Sequence, residues 1–475
     1  MQLRGYQEKL ISDIRTQFLA GHKRVLAVSP TGSGKTATTA AMIKRTIAKG
    51  GSALFTVHRQ ELMDQSISAF NEQEIDHGCI AAGYDGMPNR NVQIASIDTL
   101  RRRLDKLSFV PSLVVVDEAA HSCSETWRFV IEHFGKSRVV GLTATPERLD
   151  GKGLGSIYQQ MVEGPTTDWL IKNGFLSPYE LFAPTNPDLS GVRTVAGDYD
   201  RNGSAGIMDN PTITGDAVRE YKRHCDGKRA IAFCVSVEHS QRVAETFRES
   251  GIVALHLDGQ TPKHIRRQAV GDFRAGNIKT LTSVDIFSEG FDLPAVECVI
   301  QLNPTQSLSK DLQQIGRALR TSEGKDRAII LDHAGNVRRH GLPDDQRTWS
   351  LNGRKKRQKS DVEVDIHIRQ CPDCYCNHRT SVICPSCGFV YPIKSREIDH
   401  VDGDLVKFER GAVHAKQPKS VDREVYEARS RDALEKIALQ RGYKNPSVWA
   451  EIRMAARENR KPNYAIAMSR RRMYA

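Results

Sequence analysis

The sequence has no apolar run near the ~20 residues that a membrane-spanning helix needs, and its longer ones, such as Leu113 to Val116, are strand-sized. The opening stretch MQLRGYQEKL contains no apolar segment of secretory-signal type. These two absences predict an intracellular protein, of cytoplasm or nucleoid, with no membrane partner. Internal repeats and long low-complexity tracts are missing too, which sets repeat architectures aside. A disulfide framework is also excluded. Of ten cysteines, Cys79, Cys123, Cys225, Cys234 and Cys298 are scattered singly, as reduced thiols would be. The other five crowd into residues 371–387, a metal-ligand spacing suited to a reducing compartment.

What is present is an ordinary globular composition, 39% hydrophobic and 27% charged over 475 residues. That length is enough for about three domains. The net charge of +12 is unevenly placed. Residues 351–475 hold 26 Lys+Arg against 16 Asp+Glu, whereas residues 1–350 hold 43 against 41. A near-neutral body with a basic tail fits a polyanionic partner, although a solvated surface would have the same balance.

Two stretches alternate short apolar strands with helices. The first has strand candidates at Arg24–Ser29, Ala53–Val57, Val92–Ser96, Leu113–Val116 and Val139–Leu142, with helices such as Thr36–Lys49 and Arg59–Phe70 between them. The second has Ala230–Val235, Val253–Leu257, Thr280–Ser283, Cys298–Leu302 and Ala328–Leu331, and Tyr179–Ala183 reads as its first strand. Fully apolar strands separated by helices imply parallel sheets covered on both faces. The predicted fold class is therefore α/β, with two tandem parallel-sheet domains, 1–165 and 166–350, and a cleft between them. A basic linker (351–367), a cysteine-rich module (368–395) and a basic helical tail (396–475) follow.

The segment Ser29-Pro-Thr-Gly-Ser-Gly-Lys-Thr36 places a Gly-rich turn between a strand and a helix start. Such a turn lets backbone N–H groups close around phosphate oxygens, and the helix N-terminus adds partial positive charge. Thr31, Gly32, Ser33 and Gly34 would line the phosphates of ATP, Lys35 would reach the β- and γ-phosphates, and Thr36 would hold Mg²⁺. Ser29 departs from the Gly or Ala usual at the first position. Downstream, a buried strand ends in Asp117-Glu118-Ala119-Ala120-His121. Asp117 would bind the same Mg²⁺, and Glu118 would orient and deprotonate the attacking water. Alone, an acidic pair at a strand end is usually just solvated; beside a phosphate loop it gains meaning.

Together these motifs resemble helicase superfamily 2, in the branch of XPB and the motor subunits of type III restriction enzymes, over residues 3 to 351. The resemblance implies two RecA-like domains and an ATP-driven motor on DNA. It puts Gln7, in Leu3-Arg-Gly-Tyr-Gln7, on the adenine edge. It implies nucleic-acid contacts for His58 and Arg59, for Ser96 of Ser96-Ile-Asp-Thr-Leu100, and for Ser236, Thr282 and Ser283. Thr143 and Thr145 of Leu142-Thr-Ala-Thr-Pro146 match the segment that couples hydrolysis to movement, and Gly290 and Asp292 match a nucleotide-side motif. Gln313-Gln-Ile-Gly-Arg317-Ala-Leu-Arg320 matches the arginine-finger helix, with Arg317 and Arg320 one turn apart. The family usually has His as the fourth residue of its acidic motif; here that residue is Ala120, and His121 may be read as the substitute.

In the tail, Cys371-Pro-Asp-Cys374 and Cys384-Pro-Ser-Cys387-Gly388 form two knuckles of a zinc ribbon. Four thiolates match tetrahedral Zn²⁺ and leave no position open for catalysis. Cys376 and His378 are read as bystanders. Beyond the ribbon, two helices are expected between Val421 and Asn459, with Asn445-Pro446 opening the second and Trp449, Ile452 and Ala456 on one face. This module either packs as a small helical pair or docks DNA or replication, repair or recombination partners through Arg453, Arg457, Arg460, Lys461 and Arg470-Arg-Arg472. A monomer is expected. Two other readings remain: an ATP-gated nucleic-acid clamp or RNA helicase without processive unwinding, and a restriction-type nuclease. The last rests only on Pro187-Asp188 and Asp226-Gly-Lys228, and no spare domain exists to carry it.

Overall fold

The computed structural model describes residues 3–391, 428, 430–443 and 445–457, apart from 59, 85, 88, 148–150, 184–186, 188, 190, 196, 285–295, 354–367, 375 and 380. An N-terminal helix α1 (Gly5–Leu19) leads into the first sheet. Its strands are β1 (Arg24–Val28), β2 (Ala53–Val57), β3 (Gly78–Ile80), β4 (Val92–Ser96), β5 (Leu113–Val116), β6 (Arg138–Thr143) and β7 (Gln160–Glu163). The connecting helices are α2 (Lys35–Ile47), α3 (Gln60–Glu72), α4 (Ile97–Arg103) and α5 (Glu125–His133). The sheet order is β3-β4-β2-β5-β6-β1-β7, and every pairing is parallel. Strands β2 and β5 are buried along their whole length, as expected where helices cover both faces. The sequence pattern misses β3 and β7, two short strands at the sheet edges, where there is less apolar patterning to betray them.

The chain then passes through α6 (Thr167–Lys172) to β8 (Tyr179–Phe182), a small hairpin of β9 (Thr194–Val195) and β10 (Asp198–Tyr199), and α7 (Arg201–Met208) and α8 (Pro211–Cys225). The second sheet continues with β11 (Ala230–Phe233), β12 (Ala254–His256), β13 (Thr280–Ser283), β14 (Cys298–Gln301) and β15 (Ala328–Asp332). Its helices are α9 (Val237–Glu249), α10 (Lys263–Ala275), α11 (Leu308–Ala318) and α12 (Asn336–His340). The order β12-β13-β11-β14-β15-β8 is again all parallel. The first strand of this sheet therefore pairs with its last. The chain is two parallel-sheet α/β lobes, as the strand pattern predicts.

After α12 the chain does not simply leave the second lobe. Leu342 is part of that lobe's core, but Trp349 and Leu351 pack against the first lobe's cluster around Leu154, Ile157 and Tyr158. The Gly155 N–H donates to the Leu351 carbonyl at 2.8 Å, and Lys152 and Gly353 form an antiparallel bridge. Residues 341–353 are thus a return strap stitched to the segment that follows β6. Next, β16 (Ile368–Gln370) and β17 (Asn377–Arg379) form an antiparallel hairpin.

Residues 394–475 form a separate unit. Its described part is the pair α13 (Arg431–Gln440) and α14 (Pro446–Arg457). The pair buries Leu434, Ala438, Ala450 and Ala455, with Glu435 and Glu451 both paired to Arg431. The predicted apolar face needs correction: Ile452 is 43% exposed, and the buried positions of α14 are Ser447, Ala450, Glu451 and Ala455. A salt-bridged glutamate occupies the inward position that hydrophobicity alone would give to isoleucine. The Asn445 carbonyl receives the Trp449 N–H, but its side-chain oxygen makes no capping bond among the described residues. No helix among the described residues is long and apolar enough to cross a membrane.

Candidate nucleotide cleft and thiolate cluster

The loop after β1 is built by short polar contacts. The Ser29 N–H donates to Thr143 O at 2.9 Å, prolonging the β1–β6 pairing by one residue. The Ser29 hydroxyl donates to the Ser33 hydroxyl at 2.7 Å, with both residues buried. Ser29 thereby braces the turn from inside. Gly34 caps α2 with φ 81°, where a side chain would be strained and would also collide with the Gln7 amide. Lys35 opens the helix and curls back, donating from Nζ to Ser29 O at 3.2 Å and Pro30 O at 3.3 Å. Burial holds the Lys35 ammonium below the usual lysine range. Glu118 and Asp117 pull it back up, and Arg320 and Arg317 push it further down. Those four groups therefore surround one amine. Thr36 is exposed in the first turn of α2.

Asp117 follows the buried strand β5, and its N–H donates to Thr56 O at 3.1 Å. Glu118 has φ 48° and ψ 56°, a left-handed conformation that costs a non-glycine residue roughly 1–3 kcal/mol. Such strain persists only where the surroundings over-determine it. Glu118 Oε2 accepts from Gln313 Nε2 of α11 at 3.3 Å, a bond that crosses between the lobes. Thr143 Oγ1 donates to Thr145 O at 2.7 Å, and Thr145 Oγ1 donates to Ser309 Oγ of α11 at 2.6 Å. Gly316 completes the contact, since a Cβ there would lie 2.6 Å from Thr31 Cβ. Helix α11 thus meets the phosphate loop, the acidic motif and the coupling segment together. Arg317, on the same helix, is only 4% exposed. The loop, Lys35 and the acidic pair suit a triphosphate and its Mg²⁺.

Gln7 is buried, and its Nε2 lies 3.3 Å from both Ser33 O and Gly34 O. Here it braces the phosphate loop, as does the Tyr6 hydroxyl, which donates to Ser33 O at 2.9 Å. The Tyr6 ring meets Trp169 and Phe175 edge-on at 5.7 and 5.1 Å, and Arg4 lies over Phe175 at 4.8 Å. This aromatic group beside the loop escapes sequence reasoning because its halves are more than 160 residues apart. His121 packs its ring 4.7 Å from that of His58, joining the acidic motif to a residue expected to touch nucleic acid. Ser96 precedes α4, and the Ser236 hydroxyl caps α9 by accepting the His239 N–H. Thr282 and Ser283 are fully buried; the Thr282 hydroxyl donates to Ser240 O at 2.8 Å. Ser240 in turn bonds His256 Nδ1 at 2.7 Å. Arg59, Gly290 and Asp292 lie outside the described residues.

Residues 1–148 match the family model for the type III restriction enzyme res subunit, and residues 216–322 match the helicase conserved C-terminal domain. A 51.5 kDa protein of a Lactococcus phage is 37% identical over 393 residues, covering 82% of this chain and 83% of that one. The chain belongs to helicase superfamily 2. Within the superfamily it falls in the XPB-like and restriction-motor branch, and it is an enzyme of the ATPase/helicase class. The putative mitochondrial ATP-dependent helicase irc3 of Schizosaccharomyces pombe is 31% identical over 72% of this chain, which spans 59% of that protein. The DNA 3'-5' translocase XPB2 of Sulfurisphaera tokodaii is 24% identical over 70% of this chain and 81% of its own length. Among solved structures, a fragment of a putative HsdR subunit of a Vibrio vulnificus type I restriction enzyme shares the fold, with TM-score 0.57 and 20% identity over 72% of this chain and 66% of that one.

The helicase carries a second candidate site beyond its strap. The Sγ atoms of Cys371, Cys374, Cys384 and Cys387 all lie within 4.8 Å of one another. The Cys371–Cys387 and Cys374–Cys384 separations are 3.6 and 3.7 Å. A tetrahedron with Zn–S bonds of ~2.3 Å has edges of about 3.8 Å, so the four thiols fit Zn²⁺. Cys376 and His378 are not in this group. Cys376 instead bridges Phe182 of β8, while His378 Nε2 pairs with the Tyr391 hydroxyl at 2.8 Å. The thiolate module therefore covers the β8 edge of the second sheet, where unpaired backbone groups would otherwise be exposed.

Proposed function

We propose that the chain couples ATP hydrolysis in the interlobe cleft to movement along DNA or its unwinding. The lobes comprise residues 1–165 and 166–350, followed by the linker 351–367, a zinc ribbon at 368–395 and the helical tail at 396–475. The observation that carries this reading is α11, which presents Gln313 to Glu118 while the charges of Arg317 and Arg320 act on Lys35. Loop N–H groups at 31–36 would receive the phosphates of ATP, and Lys35 would exchange its carbonyl partners for β- and γ-phosphate oxygens. Thr36 and Asp117 would hold Mg²⁺, which neutralises charge on those oxygens when bound. Glu118 orients a water and takes its proton. Arg317 and Arg320 stabilise the charge that develops on the transferred phosphoryl group. Loss of that charge changes what α11 faces across the cleft, and the Ser309–Thr145 contact passes the change to the coupling segment.

DNA is supported as the track by the translocase and restriction-enzyme relatives. The direct test is ATPase rate with single-stranded, duplex and forked DNA and with RNA, at several salt concentrations, because phosphate binding weakens steeply with salt. Lys35→Ala should lower the rate at least about 100-fold while DNA binding persists; a parental rate overturns the proposal. A clamp without unwinding is the second reading, favoured by Ala120 and by the His121–His58 contact that stands in its neighbourhood. DNA-stimulated ATPase without strand displacement would select it.

A further inference from the structure

Helix α11 has two faces with different tasks. Gln313, Gly316 and Arg317 face the first lobe, whereas Asp311, Gln314, Ile315 and Ala318 lie on the opposite side at 100° per residue. The inward side is not uniformly apolar. Asp311 is 1% exposed, and its Oδ1 accepts from Gln301 Nε2 at 2.8 Å. The same Nε2 lies 3.3 Å from Gln314 Oε1, one turn further along the helix. Gln301 is the last residue of β14 and is itself buried. One strand-end amide therefore holds two successive turns of α11.

A buried carboxylate is costly to solvate within a protein, and an apolar side chain would fill this place without that cost. Burial raises the Asp311 carboxyl to about 6, while the Gln301 bond and the charges of Arg347 and Arg339 draw it down. What a hydrogen bond adds is direction. Apolar packing lets a helix roll against a sheet, but a bond from a fixed strand end does not. A roll of ~20° moves a side-chain tip about 6 Å from the axis by about 2 Å. Displacements of ~1 Å at a reacting group can cost 10²-fold in rate.

We infer that Gln301 and Asp311 are positioning residues that set the rotation of α11, and so aim Gln313 at Glu118 and Arg317 into the cleft. This inference rests on the proposed ATPase reading. The test is steady-state ATP hydrolysis by the full chain at saturating DNA, with thermal unfolding measured alongside. Asp311→Leu and Gln301→Leu should each lower kcat by about 10- to 100-fold, with little change in KM for ATP; melting temperature should fall in Gln301→Leu, which strands the buried carboxyl, and hold in Asp311→Leu. The double variant should be no worse than either single one, because both remove the same bond. Asp311→Asn keeps the acceptor oxygen and should restore most of the rate. Parental kcat in the leucine variants overturns the inference, as does an Asn variant as slow as the Leu variant, or losses that simply add in the double. Should the leucine variants fail to fold, the Asn variant still decides by its rate. A parental chain without DNA-stimulated ATPase would instead defeat the proposed function itself.

Discussion

The two lobes share a sheet architecture and differ in what their strand ends offer. In the first, the chain after β1 and β5 sets Lys35, Asp117 and Glu118 partly buried in the cleft, on a tight loop and a strained turn. In the second, the hydroxyls at the end of β13 are enclosed, and Thr282 is tied through Ser240 to His256. Among the described residues, the second lobe's contribution to the cleft comes instead from a helix, α11, held from behind by Gln301. One lobe carries reactive groups on its backbone turns; the other supplies groups whose value depends on angle. A motif made of consecutive residues can tolerate motion of its lobe, but a helix that must meet three partners cannot.

The strongest way to break this contrast is Arg317→Ala. If the second lobe acts through aim and charge, kcat should fall by about 10³-fold or more, with ATP binding measured by a fluorescent analogue largely kept. A loss of binding equal to the loss of rate would place Arg317 in the ground-state cradle with Lys35. A smaller effect is expected from chelation. Stripping Zn²⁺, or Cys384→Ser, should unfold the ribbon, since the metal supplies ~10–16 kcal/mol of apparent binding energy in comparable modules. Zinc content and proteolysis would report it, and cleavage should appear at 368–391 before either sheet is cut. Gly316→Ala should matter least of the three. The added methyl meets Thr31 in the closed cleft, so kcat/KM should drop about tenfold while the unfolding midpoint stays unchanged. Equal activity would show that α11 need not come so near the loop.

Much of this was legible in the chain itself. The strands β2, β4, β5 and β13 coincide with the expected spans, and β5, covered on both sides of a parallel sheet, is continuous apolar text. The phosphate loop and the thiol knuckles are also local, each fixed by residues within a few positions. What escaped depends on distant partners. The Tyr6–Trp169–Phe175 group, the pairing of Cys376 with Phe182 and the strap through Trp349 have no short-range signature. Ile452 was misplaced because burial in α14 follows the Arg431–Glu451 pair rather than hydrophobicity. Gln7 matched its motif, yet the bonds that hold it to Ser33 and Gly34 appear only in three dimensions.

The return strap has a mechanical consequence. The polypeptide passes between the lobes before β8, again from Leu342 to Leu351, and a third time between Gly353 and the thiolate module on β8. Two bodies joined by a single ribbon can swivel freely, whereas each further attachment narrows the ways in which one can turn against the other. The freedom of the lobes is then a property of where residues 341–353 are sewn down, and moving that seam would change it.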